Sequence, residues 1–334
     1  MAPSPPQRTK NAFCYGTVGP MRIVSLLPSA TEILVALGLE RDIVGVSHEC
    51  DYPAQVRSKR IVIHSRVPHD AKPFEIDKFV REQVARGQSL YAVDAEALEE
   101  LAPDLIVTQD LCHVCAASPE DLATALSRFT RRPQVLCLNP QDLGDVWRDI
   151  LWIGEETCRG RQAEALVKKI GRNLGELAYW LHDVRQRPRV ACLEWLQPLY
   201  VGGHWVPEMI YRAGGEDVFG TPGTPSFRIS LEDVVHAAPE ILLVAPCGYT
   251  AEQARNEYLS LALPAEWNSI PAVRNHQVYA LEANSYASRP GPRLVTGIAA
   301  MAKLFHPDVE TYVDVNHAAI PIAPGLAPSL ATSA

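Results

Sequence analysis

The feature that most constrains this chain is a unit it uses twice. Asp94-x-Glu96 leads into Leu101-Ala102-Pro103-Asp104-Leu105-Ile106-Val107, and Ser230-x-Glu232 leads into Ala237-Ala238-Pro239-Glu240-Ile241-Leu242-Leu243-Val244. Glutamate to proline is seven residues in both. Each copy reads as a side-chain-capped short helix, a proline stop and a buried strand. Each glutamate falls in the first helical turn, where a carboxylate favours the positive end of the dipole. On these residues alone, helix stabilisation accounts for both glutamates. A duplicated helix-to-strand step calls for two lobes of like architecture.

The rest of the chain agrees. Ile23 to Leu27, Ile43 to Val46, Ile61 to Ile63, Leu105 to Thr108 and Val135 to Leu138 read as strands of a first half. Ser29-Ala30-Thr31-Glu32 has the capping-box pattern of a helix start, and Gly38 ends that helix. Pro68 to Gln88 reads as polar and helical in character. Val190 to Leu193, Ile241 to Val244 and Val278 to Leu281 are strands of a second half, and Pro292 to Phe305 is its last helix. Strand–helix alternation means parallel sheets with helices on their faces. Between the halves, Leu166, Val167, Ile170, Leu174 and Leu177 recur at helical spacing with no strand signal nearby. That stretch is one long helix, or two with a kink near Gly171 or Gly175. The fold class is therefore α/β, with two Rossmann-like lobes of parallel sheet joined by a long helix. The expected organisation is a disordered leader (1–20), an N-terminal lobe (21–141), a helical linker (142–187), a C-terminal lobe (188–306) and a loose tail (307–334).

Charge and composition narrow the function. The 334 residues carry 31 basic and 39 acidic side chains, a net charge of −8. That balance argues against a nucleic-acid partner, which needs a basic surface, and against direct binding to an anionic membrane face. No apolar run is long enough to span a bilayer, so no membrane insertion is expected. The first 20 residues hold no apolar signal core. A cytoplasmic protein with free thiols is expected on that basis, or a periplasmic or cell-surface one if the chain starts elsewhere. Enzyme motifs such as GxSxG, GxxxxGK[ST] and GxGxxG after a strand are missing. The chain is not expected to be an enzyme.

Val24-Ser25-Leu26-Leu27-Pro28-Ser29-Ala30-Thr31-Glu32-Ile33-Leu34, followed by Gly45-Val46-Ser47-His48-Glu49-Cys50-Asp51-Tyr52-Pro53, resembles the opening of class III substrate-binding proteins of ABC importers, the iron- and cobalamin-type family. Leu101 to Thr108, Arg189 to Gly220 and Ser288-Arg289-Pro290-Gly291-Pro292-Arg293 extend the resemblance in order across roughly residues 21 to 306. It implies the class III periplasmic-binding-protein fold, with ligand clamped between lobes that the helical spine lets close only a little. It also implies that Glu96 and Glu232 dock onto arginines of a membrane permease. The resemblance is nearest to cobalamin-binding members, so cobalamin or another corrinoid is the expected ligand. Haem, a siderophore or a metal chelate is the alternative, as is an intracellular metal- or corrinoid-dependent enzyme on the same fold. Glu49 takes the place of a corrin-lining tyrosine and Asn284 that of an aspartate, whereas Tyr286 and Arg289 keep the family's residues.

Ligands of open α/β sheets bind beyond the carboxyl ends of the strands. The residues that follow the strands are therefore the candidates: His48, Glu49, Gln109, Asp110, Cys112, Trp195, His204, Trp205, Asn284, Tyr286 and Arg289. Trp195, Trp205 and Tyr286 offer flat apolar faces to a large planar ligand, or pack in the core. Arg289 suits a propionate, amide or phosphate, or fixes its loop. Cys112, His113 and Cys115 could share a metal ion, form a redox pair, or pack as small side chains. The expected partners are a small-molecule ligand and an ABC permease, with the protein itself a monomer.

Overall fold

The computed structural model describes residues 20–68, 73–86, 88–109, 119–312 and 315–322. The readings of a disordered leader and of Asp110, Cys112, His113 and Cys115 fall outside these residues.

Two sheets organise the chain. The first has the order β4 (Tyr91–Val93), β3 (Arg60–Ser65), β2 (Ile43–Ser47), β1 (Ile23–Ser25), β5 (Leu105–Gln109) and β6 (Gln134–Leu138). All its pairs are parallel except β3 with β4. β1 and β5 are buried along their whole length, as expected for strands covered on both faces. The second sheet runs β10 (Phe227–Arg228), β8 (Leu199–Val201), β7 (Arg189–Leu196), β11 (Ile241–Val244), β12 (Val278–Leu281) and β13 (Ala319–Pro321), with β9 (Glu216–Asp217) also on β7. Its centre, β7–β11–β12, is parallel. Two sheets of mostly parallel strands and a joining helical segment are the architecture expected from the sequence. The short edge strands are not legible there, because two or three residues carry no period. Part of the expected loose tail is one of them: Ala319 to Pro321 pairs antiparallel with β12.

The repeated unit is a structural repeat in detail. Asp94 caps α3 (Ala95–Leu101) by accepting the Ala97 N–H, and Ser230 caps α8 (Leu231–Ala237) by accepting the Asp233 N–H. Both helices end in a left-handed alanine, Ala102 at φ 40° and Ala238 at φ 48°, just before the proline. The next acidic residue then ties the unit to the lobe's first strand. Asp104 accepts the Arg22 N–H at 3.0 Å, and Glu240 accepts the Arg189 N–H at 2.9 Å. Those two arginines in turn donate to the ends of the helices, Arg22 to the Leu101 carbonyl and Arg189 to the Ala237 carbonyl.

The spine is two helices, α5 (Leu143–Glu156) and α6 (Gly160–Trp180). The break lies at Thr157–Arg159, while Gly171 and Gly175 pass inside an unbroken α6. A Cβ on Gly154 would overlap Ala163 Cβ, so glycine lets the two helices meet at the turn. On α6 the buried residues are Ala163, Ile170 and Leu177, a seven-residue spacing that makes one narrow apolar stripe. The spine enters both cores. Leu143, Val146 and Leu177 pack with the second sheet's helices, whereas Ile150, Ile153, Ala163 and Ile170 pack with the first lobe. Val295, on α12 (Leu294–Phe305) of the second lobe, also packs in the first lobe's core. Side chains that interlock at crystal-like density resist hinge motion, so the shared packing stiffens the joint.

Candidate functional site: an interlobe cavity and an ion-pair seam

A cavity of about 90 Å³ lies beyond the carboxyl ends of the central strands, where the two sheets face each other. The second lobe supplies nearly all the described lining: Cys192 and Glu194 from β7, Gly202 to Val206, Ser226, Ala245 and Cys247 after β11, and Ala287, Ser288 and Pro290 before α12. Gln109, at the end of β5, is the first lobe's contribution among the described residues. β5 lies beside β1 at the point where the strand order reverses, the usual ligand position in open sheets.

The floor is built by Gly202-Gly203-His204-Trp205. A Cβ on Gly203 would overlap the backbone of Pro225 and Ser226, so this position requires glycine. His204 adopts a left-handed φ of 52°, held by its N–H donating to the Thr224 carbonyl at 2.6 Å and its carbonyl accepting from Gly223 at 3.0 Å. Its ring stacks on Trp205 at 5.7 Å. Burial lowers the His204 pKa, so the ring is neutral near pH 7. Its Nδ1 is buried without a hydrogen-bond partner among the described residues. The Trp205 indole N–H donates to the Ala287 carbonyl at 2.7 Å and so anchors the last cleft loop. Glu194 accepts the Gly203 N–H at 3.4 Å. Burial pushes the Cys192 thiol well above its ordinary range, the charges of Asp217 and Glu194 adding to it, which keeps it a neutral wall residue.

Beside the cavity the lobes are joined by a cluster of charges. Glu32 of α1 (Pro28–Ala36) meets two arginines of the opposite lobe: Arg289 Nη1 at 3.3 Å, and Arg293, whose Nε lies 2.8 Å from Oε2 and Nη2 2.5 Å from Oε1. Arg289 also holds Asp51 at 2.6 Å and donates to the Glu49 carbonyl at 3.2 Å. The Arg293 guanidinium lies 4.0 Å over the Tyr52 ring and 5.7 Å from that of Tyr286. Glu32 is 5% exposed and Arg289 8% exposed, so each charge depends on its partners.

The sequence candidates divide. Gln109, His204 and Trp205 line the cavity. Trp195 does not. The β7–β8 pairing is irregular between Leu193 and Trp195, and the Trp195 ring packs edge-on to Tyr249 at 6.0 Å with its indole N–H on the Gln197 carbonyl. His48 stacks on His64 at 6.2 Å, away from the cavity, and burial lowers its pKa. Arg289 serves the seam, as the loop-fixing alternative has it. Burial raises the Glu49 carboxyl pKa, against the pull of Arg289. Asn284 and Tyr286 lie on α11 (Ala283–Tyr286), clear of the described lining. The Ser29 capping box does not form: Leu27 is the N-cap, Thr31 Oγ1 bonds Ser25 and Cys50, and Glu32 crosses to the other lobe. Glu32 could have been found from sequence as the lone charge in an otherwise apolar helix, which has to be paired if buried. Among the described residues no group of three or more His, Cys, Asp or Glu side chains is placed to hold a metal ion.

Both expected docking carboxylates, Glu96 and Glu232, are exposed. Each stands in the first turn of its repeated helix. No described helix is long and apolar enough to cross a membrane. Cys50, Cys192 and Cys247 keep their thiols, whereas Cys158 is disulfide-bonded. The expectation of free thiols therefore fails at Cys158.

Comparison with known proteins places this geometry. The family described as "Periplasmic binding protein" matches residues 23–285. A "Vitamin B12-binding protein" of Vibrio parahaemolyticus is 24% identical over 293 residues, covering 85% of this chain and 89% of the relative. An "Uncharacterized ABC transporter substrate-binding lipoprotein", YvrC of Bacillus subtilis, is 24% identical over 296 residues, covering 86% and 81%. Among solved structures, a periplasmic haem-binding protein from Pseudomonas aeruginosa superposes with a TM-score of 0.66 at 21% identity, covering 87% of this chain and 94% of that one. The expected cytoplasmic location is overturned, because proteins of this kind are periplasmic or lipid-anchored and face outward. On the family match over most of its length, with two sheets of mostly parallel strands and a helical spine, the chain belongs to the periplasmic binding protein family.

Proposed function

We propose that this protein is the ligand-capturing component of an ABC importer and that its ligand is a corrinoid, cobalamin or a precursor of it. The observation that carries the binding role is the interlobe cavity, floored by Trp205 and His204 and faced by Gln109 from the opposite lobe. The vitamin B12-binding relative, matched over most of both chains, supports the choice of ligand. The enclosed space of about 90 Å³ is far below the ~300–1,000 Å³ of drug-sized sites. It forms the floor of the cleft, across which a flat macrocycle lies between residues 21–141 and residues 188–306, with 142–187 as the spine. The role is binding rather than catalysis. Glu96 and Glu232, one exposed carboxylate per lobe on matching supports, are the proposed contacts with permease arginines. Haem is the second reading, favoured by the fold likeness to a haem-binding protein.

Absorbance and calorimetric titration with cobalamin, cobinamide and haem tests the proposal. One-to-one corrinoid binding with a shifted corrin band supports it. Saturable haem binding with no response to either corrinoid replaces it with the second reading.

A further inference from the structure

We propose that the cleft selects its ligand by charge, taking a macrocycle whose edge carries uncharged amides and rejecting one whose edge carries carboxylates. This rests on the corrinoid reading above and names the chemistry that the same site admits.

Recognition of a carboxylate-edged macrocycle requires a cation free to meet it, as a guanidinium or an ammonium. The described lining of the cavity holds no lysine or arginine; its ionisable members are Glu194, His204, Cys192 and Cys247. Arg289 and Arg293, on and beside the loop that ends at the cavity wall, are both committed. Arg293 is clamped by both oxygens of Glu32. Arg289 is shared between Glu32 and Asp51. A ligand carboxylate could reach Arg289 only by displacing Asp51, whose own charge would then be stranded beside the newcomer and beside Glu49. Like charges brought together in a partly desolvated site are strongly disfavoured. Amides meet no such penalty. Their N–H groups can be accepted by Gln109, Glu194 or backbone carbonyls, and their oxygens need no full cation.

The test keeps the macrocycle constant and changes its edge. The intact protein is titrated with cobinamide, whose side chains are amides, and with cobyrinic acid, the corrinoid bearing carboxylates in their place. Haem is titrated in parallel. Asp51→Asn is measured alongside, with its melting temperature confirming a folded protein. The wild type is expected to bind cobyrinic acid at least ~30-fold more weakly than cobinamide, a gap the size expected for unpaired charge in such a site. Asp51→Asn, which releases Arg289 from its half-buried partner, is expected to narrow that ratio about tenfold. A wild-type ratio near one overturns the charge rule while leaving the corrinoid reading intact. A large ratio that Asp51→Asn does not move overturns the role given to the seam. Haem binding tighter than cobinamide overturns both the rule and the corrinoid reading.

Discussion

The two lobes are alike on the outside and unlike in the cleft. Their α3 and α8 units share the cap, the left-handed alanine, the proline stop and the arginine that closes the helix end. Their inward faces divide the labour. The second lobe builds the described cavity wall from glycines, Trp205 and His204, while the first lobe offers Gln109 there and places Glu32 and Asp51 against the second lobe's arginines. A surface that meets a two-fold-like partner keeps its halves equivalent. A surface that grips one asymmetric molecule does not. The contrast separates two properties that mutation can separate too.

The largest effect is expected where the lobes are alike. Replacing Glu96 and Glu232 together by alanine should reduce ligand-stimulated ATP hydrolysis by the reconstituted importer to background, with ligand affinity kept within about threefold, since exposed charges contribute little to folding. The single variants should lose activity by similar factors, and a strongly unequal pair would break the equivalence of the platforms. Next comes the seam. Glu32→Ala removes a carboxylate from buried Arg289 and from half-buried Arg293 and should cost about 3 kcal/mol in denaturant unfolding. A loss below 1 kcal/mol would show that the seam does not hold the lobes. A smaller effect is expected on the second lobe's floor, where Gly203→Ala forces the Pro225–Ser226 backbone aside for about 1–3 kcal/mol and weakens ligand binding with it.

A separate effect distinguishes spine from cleft by pH. Burial raises the Asp149 carboxyl on α5 to about 7, with Arg148 pulling the other way. A carboxyl raised in the folded state binds more protons folded than unfolded between about 4 and 7, so its contribution to stability falls as pH rises through that window. Asp149→Asn should therefore raise the melting temperature at pH 8 and show a shrinking advantage towards pH 5. An advantage that grows on acidification would contradict this.

The repeat, the central strands and the helical joint were legible because each is local: a cap, a proline and an apolar run within some fifteen residues. The place of Gln109, His204 and Trp205 in the cavity lining was legible by the rule that clefts form beyond strand ends. The seam was not. Glu32 and Arg289 are 257 residues apart, and a glutamate three residues after Ser29 is equally well read as a cap. Trp195 went astray because the irregular β7–β8 pairing changes which side chains face the cleft. Cys192, Ser226, Ala287 and Ser288 enter the wall by packing alone, and nothing in their residue types announces it.

The division between a gripping floor and outward platforms can be read in one experiment, hydrogen exchange of the protein with and without cobinamide. Slowed exchange in Gly202–Val206 and Ala287–Pro290, with Ala95–Leu101 and Leu231–Ala237 unchanged, is the predicted result. Protection centred on those two helices, with the floor unaffected, would place the ligand elsewhere and contradict the account.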